Sequence, residues 1–118
     1  MTRRQVRRGL FVWRHLTETA EREAALTLAA TRAAERAVVP PPLAASEEDF
    51  LLWALQGALQ EQCAADASDL AARAQEEERI FWAARRARGQ ADRIVERLGA
   101  RERAETRRRR RRTEEGGP

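Results

Sequence analysis

The sequence predicts an all-α fold, an antiparallel two-helix coiled-coil hairpin with a longer, overhanging C-terminal helix. Three observations predict it. Ala, Glu, Leu and Arg dominate the 118 residues, and only 5% are aromatic, so a thick globular core is not available and a narrow seam is the cheaper way to bury apolar surface. Apolar residues recur at alternating steps of three and four over long stretches. One short block of prolines, Pro40-Pro41-Pro42, divides the chain.

The first helix is expected over about residues 3–38. Its seam reads Val6, Leu10, Trp13, Thr17, Ala20, Ala24, Thr27, Thr31, Ala34 and Val38. The prolines stop it, because each lacks an N–H and clashes with the preceding turn. A turn over residues 39–46 follows. Ser46 then caps a second helix, with Glu47, Glu48 and Asp49 in its first turn, where acids favour the helix dipole.

The second helix is expected over about residues 47–112, with a frayed tail at 113–118. Its seam reads Leu52, Leu55, Leu59, Cys63, Asp66, Leu70, Ala74, Glu77, Phe81, Ala84, Arg88, Ala91, Val95 and Leu98. Gly57, Gly89 and Gly99 are weak points of about 1 kcal/mol each. Phe50 and Trp53 are expected to shield the proline turn. The chain makes one domain, and a short connection suits antiparallel neighbours. If Val38 lies opposite Glu47, Arg3 lies opposite Trp82. The second helix then runs on unpaired from Ala83 to Arg112, roughly 45 Å at 1.5 Å per residue.

All 23 basic residues are Arg, and the net charge is +4. Each guanidinium is a planar fork suited to carboxylates and phosphates. Charge is segregated: residues 1–16 carry five Arg and no acid, residues 17–78 carry four Arg and thirteen acids, and residues 79–112 carry fourteen Arg and four acids. Cys63 is the sole cysteine, which rules out an intrachain disulfide and suits a reducing compartment. No apolar run approaches the ~18 residues of a membrane span, and Leu10–Trp13 is too short for the apolar core of a signal peptide. A cytoplasmic protein without membrane insertion is expected.

Catalytic chemistry is excluded on composition. His15 is the only histidine, and there is no cysteine pair, no metal-ligand spacing and no glycine-rich phosphate loop. No catalytic, cofactor or metal residue is expected, and function is expected to lie in binding. The expected contact residues are the aromatic pair Phe81 and Trp82, the apolar Ile94, Val95 and Leu98, and the arginines Arg101, Arg103, Arg107, Arg108, Arg109, Arg110, Arg111 and Arg112. An aromatic pair at the start of an overhang would make a hot spot. The six adjacent arginines attract phosphates whatever the sequence, and also acidic protein surfaces.

The stretch Ala83-Ala84-Arg85-Arg86-Ala87-Arg88, then Ile94-Val95-Glu96-Arg97-Leu98, then Arg101-Glu102-Arg103-Ala104-Glu105 and the Arg run resembles the C-terminal helix of the flagellar FliJ family and its type III secretion counterparts of the YscO kind. The opening Arg3-Arg4-Gln5-Val6-Arg7-Arg8 is similar too. The resemblance implies a helical hairpin that acts as a stalk in the pore of an export ATPase hexamer, contacts the export gate protein and escorts export chaperones. It also implies peripheral association with the inner face of the cytoplasmic membrane through those partners. Two other classes stay open. One is a coiled-coil nucleic-acid-binding protein that uses the Arg-rich arm, and the other is a self-associating structural coiled coil.

Overall fold

The structure, a computed structural model, describes residues 2–40 and 50–116. It holds two α-helices, α1 over Arg3–Ala37 and α2 over Phe50–Glu115, with no strand among the described residues. None of these helices is long and apolar enough to cross a membrane.

Thr2 and Gln5 start α1. The Gln5 backbone N–H donates to Thr2 Oγ1 at 3.2 Å, and the Thr2 N–H donates to Gln5 Oε1 at 2.9 Å. This reciprocal pair satisfies two N–H groups that the first turn would leave without partners. The helix ends at Ala37, where the Val38 N–H reaches back to the Glu35 carbonyl at 3.3 Å and Pro40 follows. Pro41, Pro42, the Ser46 cap and the expected start at Glu47 lie outside the described residues.

The far end of α2 departs from expectation. The helix runs through Glu115 rather than fraying after Arg112. Thr113 Oγ1 donates to the Arg109 carbonyl at 2.9 Å, and the Gly116 N–H donates to the Arg112 carbonyl at 2.8 Å. The second bond occupies a carbonyl of the last turn that would otherwise lack a partner, and the first adds a side-chain donor to the turn before it.

The chain forms two compact units. The first combines residues 1–21 with 83–118, so it holds the start of α1 and the last part of α2. The second spans residues 22–82.

In the first unit, four cross-helix ion pairs fix the register. Arg3 meets Glu105 at 3.1 Å, Arg7 meets Glu102, Arg14 meets Asp92 at 3.0 Å, and Glu21 meets Arg88 at 2.8 Å. Numbers on α1 rise as their partners on α2 fall. Among the less exposed positions, Leu10, Arg14, Thr17 and Glu21 form one line on α1, and Ala84, Arg88, Ala91, Val95, Leu98, Glu102 and Glu105 form one on α2, with Glu18, Thr19, Gly89, Asp92, Gly99 and Ala104 beside them. Both sets step by three and four, and Ala91 is fully buried.

This pairing shortens the expected overhang. Arg3 does not lie opposite Trp82 but meets Glu105, so α1 packs along α2 from Ala84 to Glu105 and only the last turns of α2 run on past the start of α1. Pairing Val38 with Glu47 would set Arg14 against Ala71 and Glu21 against Ala64. The observed register gives each of the two a partner of opposite charge instead.

In the second unit, Leu28 and Thr31 on α1 and Ala74 on α2 are buried, flanked by half-buried Ala24, Glu35, Cys63, Ala67, Leu70, Glu77 and Phe81. Arg32 reaches Glu78 at 3.5 Å, and the Cys63 thiol points to the Val39 carbonyl at 3.9 Å. The α1 seam keeps the expected Leu10, Thr17, Ala24, Thr31 and Val38. The alternate positions fall one residue later than expected, at Arg14, Glu21, Leu28 and Glu35 rather than Trp13, Ala20, Thr27 and Ala34. Trp13 is too bulky for the seam and sits at its edge. Leu28 offers more apolar area than Thr27, and Arg14 and Glu21 find partners across the helices.

The α2 seam matches expectation from Leu70 to Leu98 and at Cys63, but not before. Leu52, Leu55, Leu59 and Asp66 are exposed, while Gln56, Gln60 and Ala67 take the less exposed positions.

Candidate functional site: a basic helix pair with an apolar groove

The first unit carries 18 arginines against eight acids, a net +10, and the second carries five against eleven, a net −6. The candidate site is built on the first. Its base is a polar layer in which Arg14 Nε lies 3.0 Å from Asp92 Oδ1 and 3.4 Å from Glu18 Oε1, and Arg88 Nη1 lies 2.8 Å from Glu21 Oε2. Asp92 Oδ2 sits 3.9 Å from Arg88 Nε, so Asp92 joins the two guanidinium groups. Arg14 Nε and Asp92 Oδ1 are shielded from solvent yet not aligned for a hydrogen bond, which makes their attraction coulombic. The hydrogen bond that Arg88 donates to Glu21, and then the charge of Glu21, raise the Arg88 pKa above the ordinary arginine value. The layer favours one register, since sliding either helix would part these charges from their partners.

Beyond this layer, the start of α1 and the last turns of α2 enclose a groove of about 470 Å³. Val6, Leu10 and Phe11 line it from α1, and Val95, Leu98 and Gly99 from α2. Arg3, Arg7, Arg101, Glu102 and Glu105 form its charged rim. A polar recess of about 260 Å³ shares Arg3, Arg7, Glu102 and Glu105 with the groove and adds Arg4, Thr106 and Arg109. Arg3 and Arg7 are neutralised by Glu105 and Glu102, whereas Arg4, Arg101 and Arg109 have no ion pair among the described residues. The arrangement suits an apolar side chain flanked by anionic groups.

The expected contact residues divide between the units. Val95 and Leu98 are half-buried and line the groove, so they do not form an open stripe. Ile94 is exposed beside them. Arg101 stands on the rim, and Arg103, Arg107, Arg108, Arg109, Arg110, Arg111 and Arg112 are exposed on the same helix. Phe81 and Trp82 belong to the second unit, where their rings meet edge to face with centroids 5.5 Å apart; Phe81 is half-buried and Trp82 exposed.

Sequence reasoning missed the α1 half of the groove. Periodicity puts Val6 and Leu10 in the seam and gives Phe11 no role, because a register with Val38 opposite Glu47 sets the start of α1 near Trp82. The signal that could have found it is the charge order: Arg3, Arg7 and Arg14 on α1 against Glu105, Glu102 and Asp92 on α2. Among the described residues, no group of three His, Cys, Asp or Glu side chains could hold a metal ion. No family model, no curated protein and no solved structure matches the chain.

Proposed function

We propose that this chain is a non-enzymatic coiled-coil stalk of a flagellar or type III export apparatus, an antiparallel hairpin that binds the export ATPase ring through its basic helix pair and couples that ring to the export gate, with export chaperones as further partners. One observation carries the reading. The start of α1 and the last turns of α2 join in a single unit of net +10, with an apolar groove and an exposed arginine run. A stalk needs a slender, stiff, charged end that fits a lumen with an acidic lining. A helix pair with its arginines outward has that chemistry. Guanidinium forks pair with carboxylates in two-point contacts, and these set encounter rate and orientation. Apolar contacts by Ile94 and the groove set the lifetime of the complex.

ATP turnover by the candidate ring ATPase, with and without the chain, tests the reading. Stimulation by the wild type, and its loss when Arg107–Arg112 are all replaced by Gln, is expected. Undiminished stimulation by the six-fold variant would falsify the arginine run as a coupling element.

A second reading has an observation of its own. Six adjacent exposed arginines also suit a phosphate backbone, which would make the chain a nucleic-acid-binding protein. Tight duplex binding that falls steeply with salt, with no effect on any ATPase, favours that reading.

A further inference from the structure

We propose that the chain associates with itself head to tail, the leucine ridge at the start of α2 in one copy seating in the groove of the first unit of the next. Leu51, Leu55 and Leu59 follow one another at steps of four, the spacing of a ridge along a helix. They are 78, 57 and 46% exposed. Phe50 and Trp53 flank the ridge with their rings 6.1 Å apart, and both are exposed. From Phe50 to Gln60 no residue is charged. An uncharged, aromatic-flanked apolar face of this kind marks an interaction surface.

The groove is its counterpart in shape and polarity. Val6, Leu10, Phe11, Val95 and Leu98 offer an apolar floor open to solvent, and Phe11 is 59% exposed. Charge selects the pairing. Two ridges brought together would face one unit of net −6 with another, and two grooves would face +10 with +10. Ridge on groove sets opposite charges against each other, which favours encounter in that orientation alone. The interface is heterologous, so each copy offers one ridge and one groove, and association adds copies until a ring closes or continues as a filament.

Sedimentation velocity of the full chain across a range of concentrations, at low and high salt, tests this together with two variants at exposed positions, Leu55→Asp on the ridge and Phe11→Asp in the groove. The wild-type average mass rises with concentration at low salt and returns toward one chain as salt screens the units. Each variant alone associates about tenfold more weakly or worse, as loss of a central apolar anchor demands. Mixed together, the two recover association that stops at two chains, since L55D still offers a groove and F11D a ridge. Circular dichroism checks helicity, and glutamine replaces aspartate wherever the charge disturbs it. A wild type that stays monomeric at every concentration overturns the proposal, as does F11D associating like the wild type or a mixture that fails to pair.

Discussion

Glu21 and Arg88 stand 67 residues apart in sequence, yet Arg88 Nη1 donates to Glu21 Oε2 at 2.8 Å. Both residues occupy positions where a simple coiled coil would place leucine. The pair defines which turn of α1 meets which turn of α2, at a cost in desolvation that leucines would not incur. Replacing both by leucine is expected to raise the melting temperature, while Glu21→Leu alone lowers it by leaving Arg88 without its hydrogen-bond partner. Thermal melts followed by circular dichroism check both signs. A double variant less stable than the wild type would mean that the ion pair contributes net stability beyond setting the register.

The seam assignment makes a graded set of stability predictions. Leu28 is only 6% exposed, so Leu28→Ala is expected to cost about 2–3 kcal/mol, the low end for a buried leucine because a thin seam can partly collapse. Ala91 has no exposed surface, and Ala91→Leu is expected to cost about 1–3 kcal/mol through overpacking. Leu59→Ala, at an exposed position, stays within about 0.5 kcal/mol of the wild type. Urea titrations rank the three, and a Leu59 effect as large as that of Leu28 would contradict the observed seam.

Gly9 and Gly57 sit inside helices with no positive φ, and a Cβ built at either meets nothing within 4 Å. Gly9→Ala and Gly57→Ala are each expected to add about 0.5–1 kcal/mol by helix propensity. At Gly99 the new Cβ comes within 3.4 Å of Arg103 Nη1, the mobile tip of a long side chain that can move aside, so Gly99→Ala also stabilises. The check is helicity at a fixed temperature near the transition.

Acid dependence has one local reporter. Arg79 holds the Glu76 carboxyl below its ordinary pKa, first by hydrogen bonding and then by charge, one helical turn away. A depressed carboxyl pKa contributes stability above the unfolded value, and that contribution is lost as pH falls through the folded value. The pair therefore supports α2 at neutral pH and releases it only on the acid side of the usual carboxylate range. Side-chain NMR titration should show the Glu76 midpoint rising in Arg79→Gln, and an unchanged midpoint would mean that the pair does not persist in solution.

How much was legible in the sequence follows from what each signal measures. Helix content follows from composition and periodicity; α1 over Arg3–Ala37 is close to the expected 3–38, whereas α2 runs through Glu115 past the expected end at Arg112, and its expected start at Glu47 lies outside the described residues. The seam from Leu70 to Leu98 was legible because its apolar residues have a single consistent phase. Ahead of it, Leu52, Leu55 and Leu59 keep the spacing but not the face, and spacing alone cannot tell an intramolecular seam from a surface ridge. Register was not legible from apolar residues at all, because small alanines pair almost equally well at many offsets. It is written in charge, with Arg3, Arg7, Arg14 and Glu21 in one order and Glu105, Glu102, Asp92 and Arg88 in the reverse. The groove was lost with the register, since its two walls lie some ninety residues apart in the chain.

The run from Arg107 to Arg112 is helical and exposed throughout. Successive residues on a helix turn by about 100°, so six in a row surround the axis and single out no face. The run therefore acts as a diffuse positive end rather than a recognition stripe. Its position near the C-terminal end of α2 suits the helix dipole, which favours cations there. Replacing any one arginine by glutamine should change partner binding little, and the effect should scale with the number replaced rather than with the face they occupy. Replacing all six should slow association at low salt and flatten its salt dependence while the dissociation rate stays nearly constant. With a nucleic-acid duplex as partner, the slope of log K against log salt should fall by about five, near 0.9 for each lost phosphate contact. Association kinetics against the candidate ATPase and against duplex DNA, each at several salt concentrations, separate the two partners. A single replacement that abolishes binding to either would show that one arginine makes a specific contact and would overturn the diffuse-charge account.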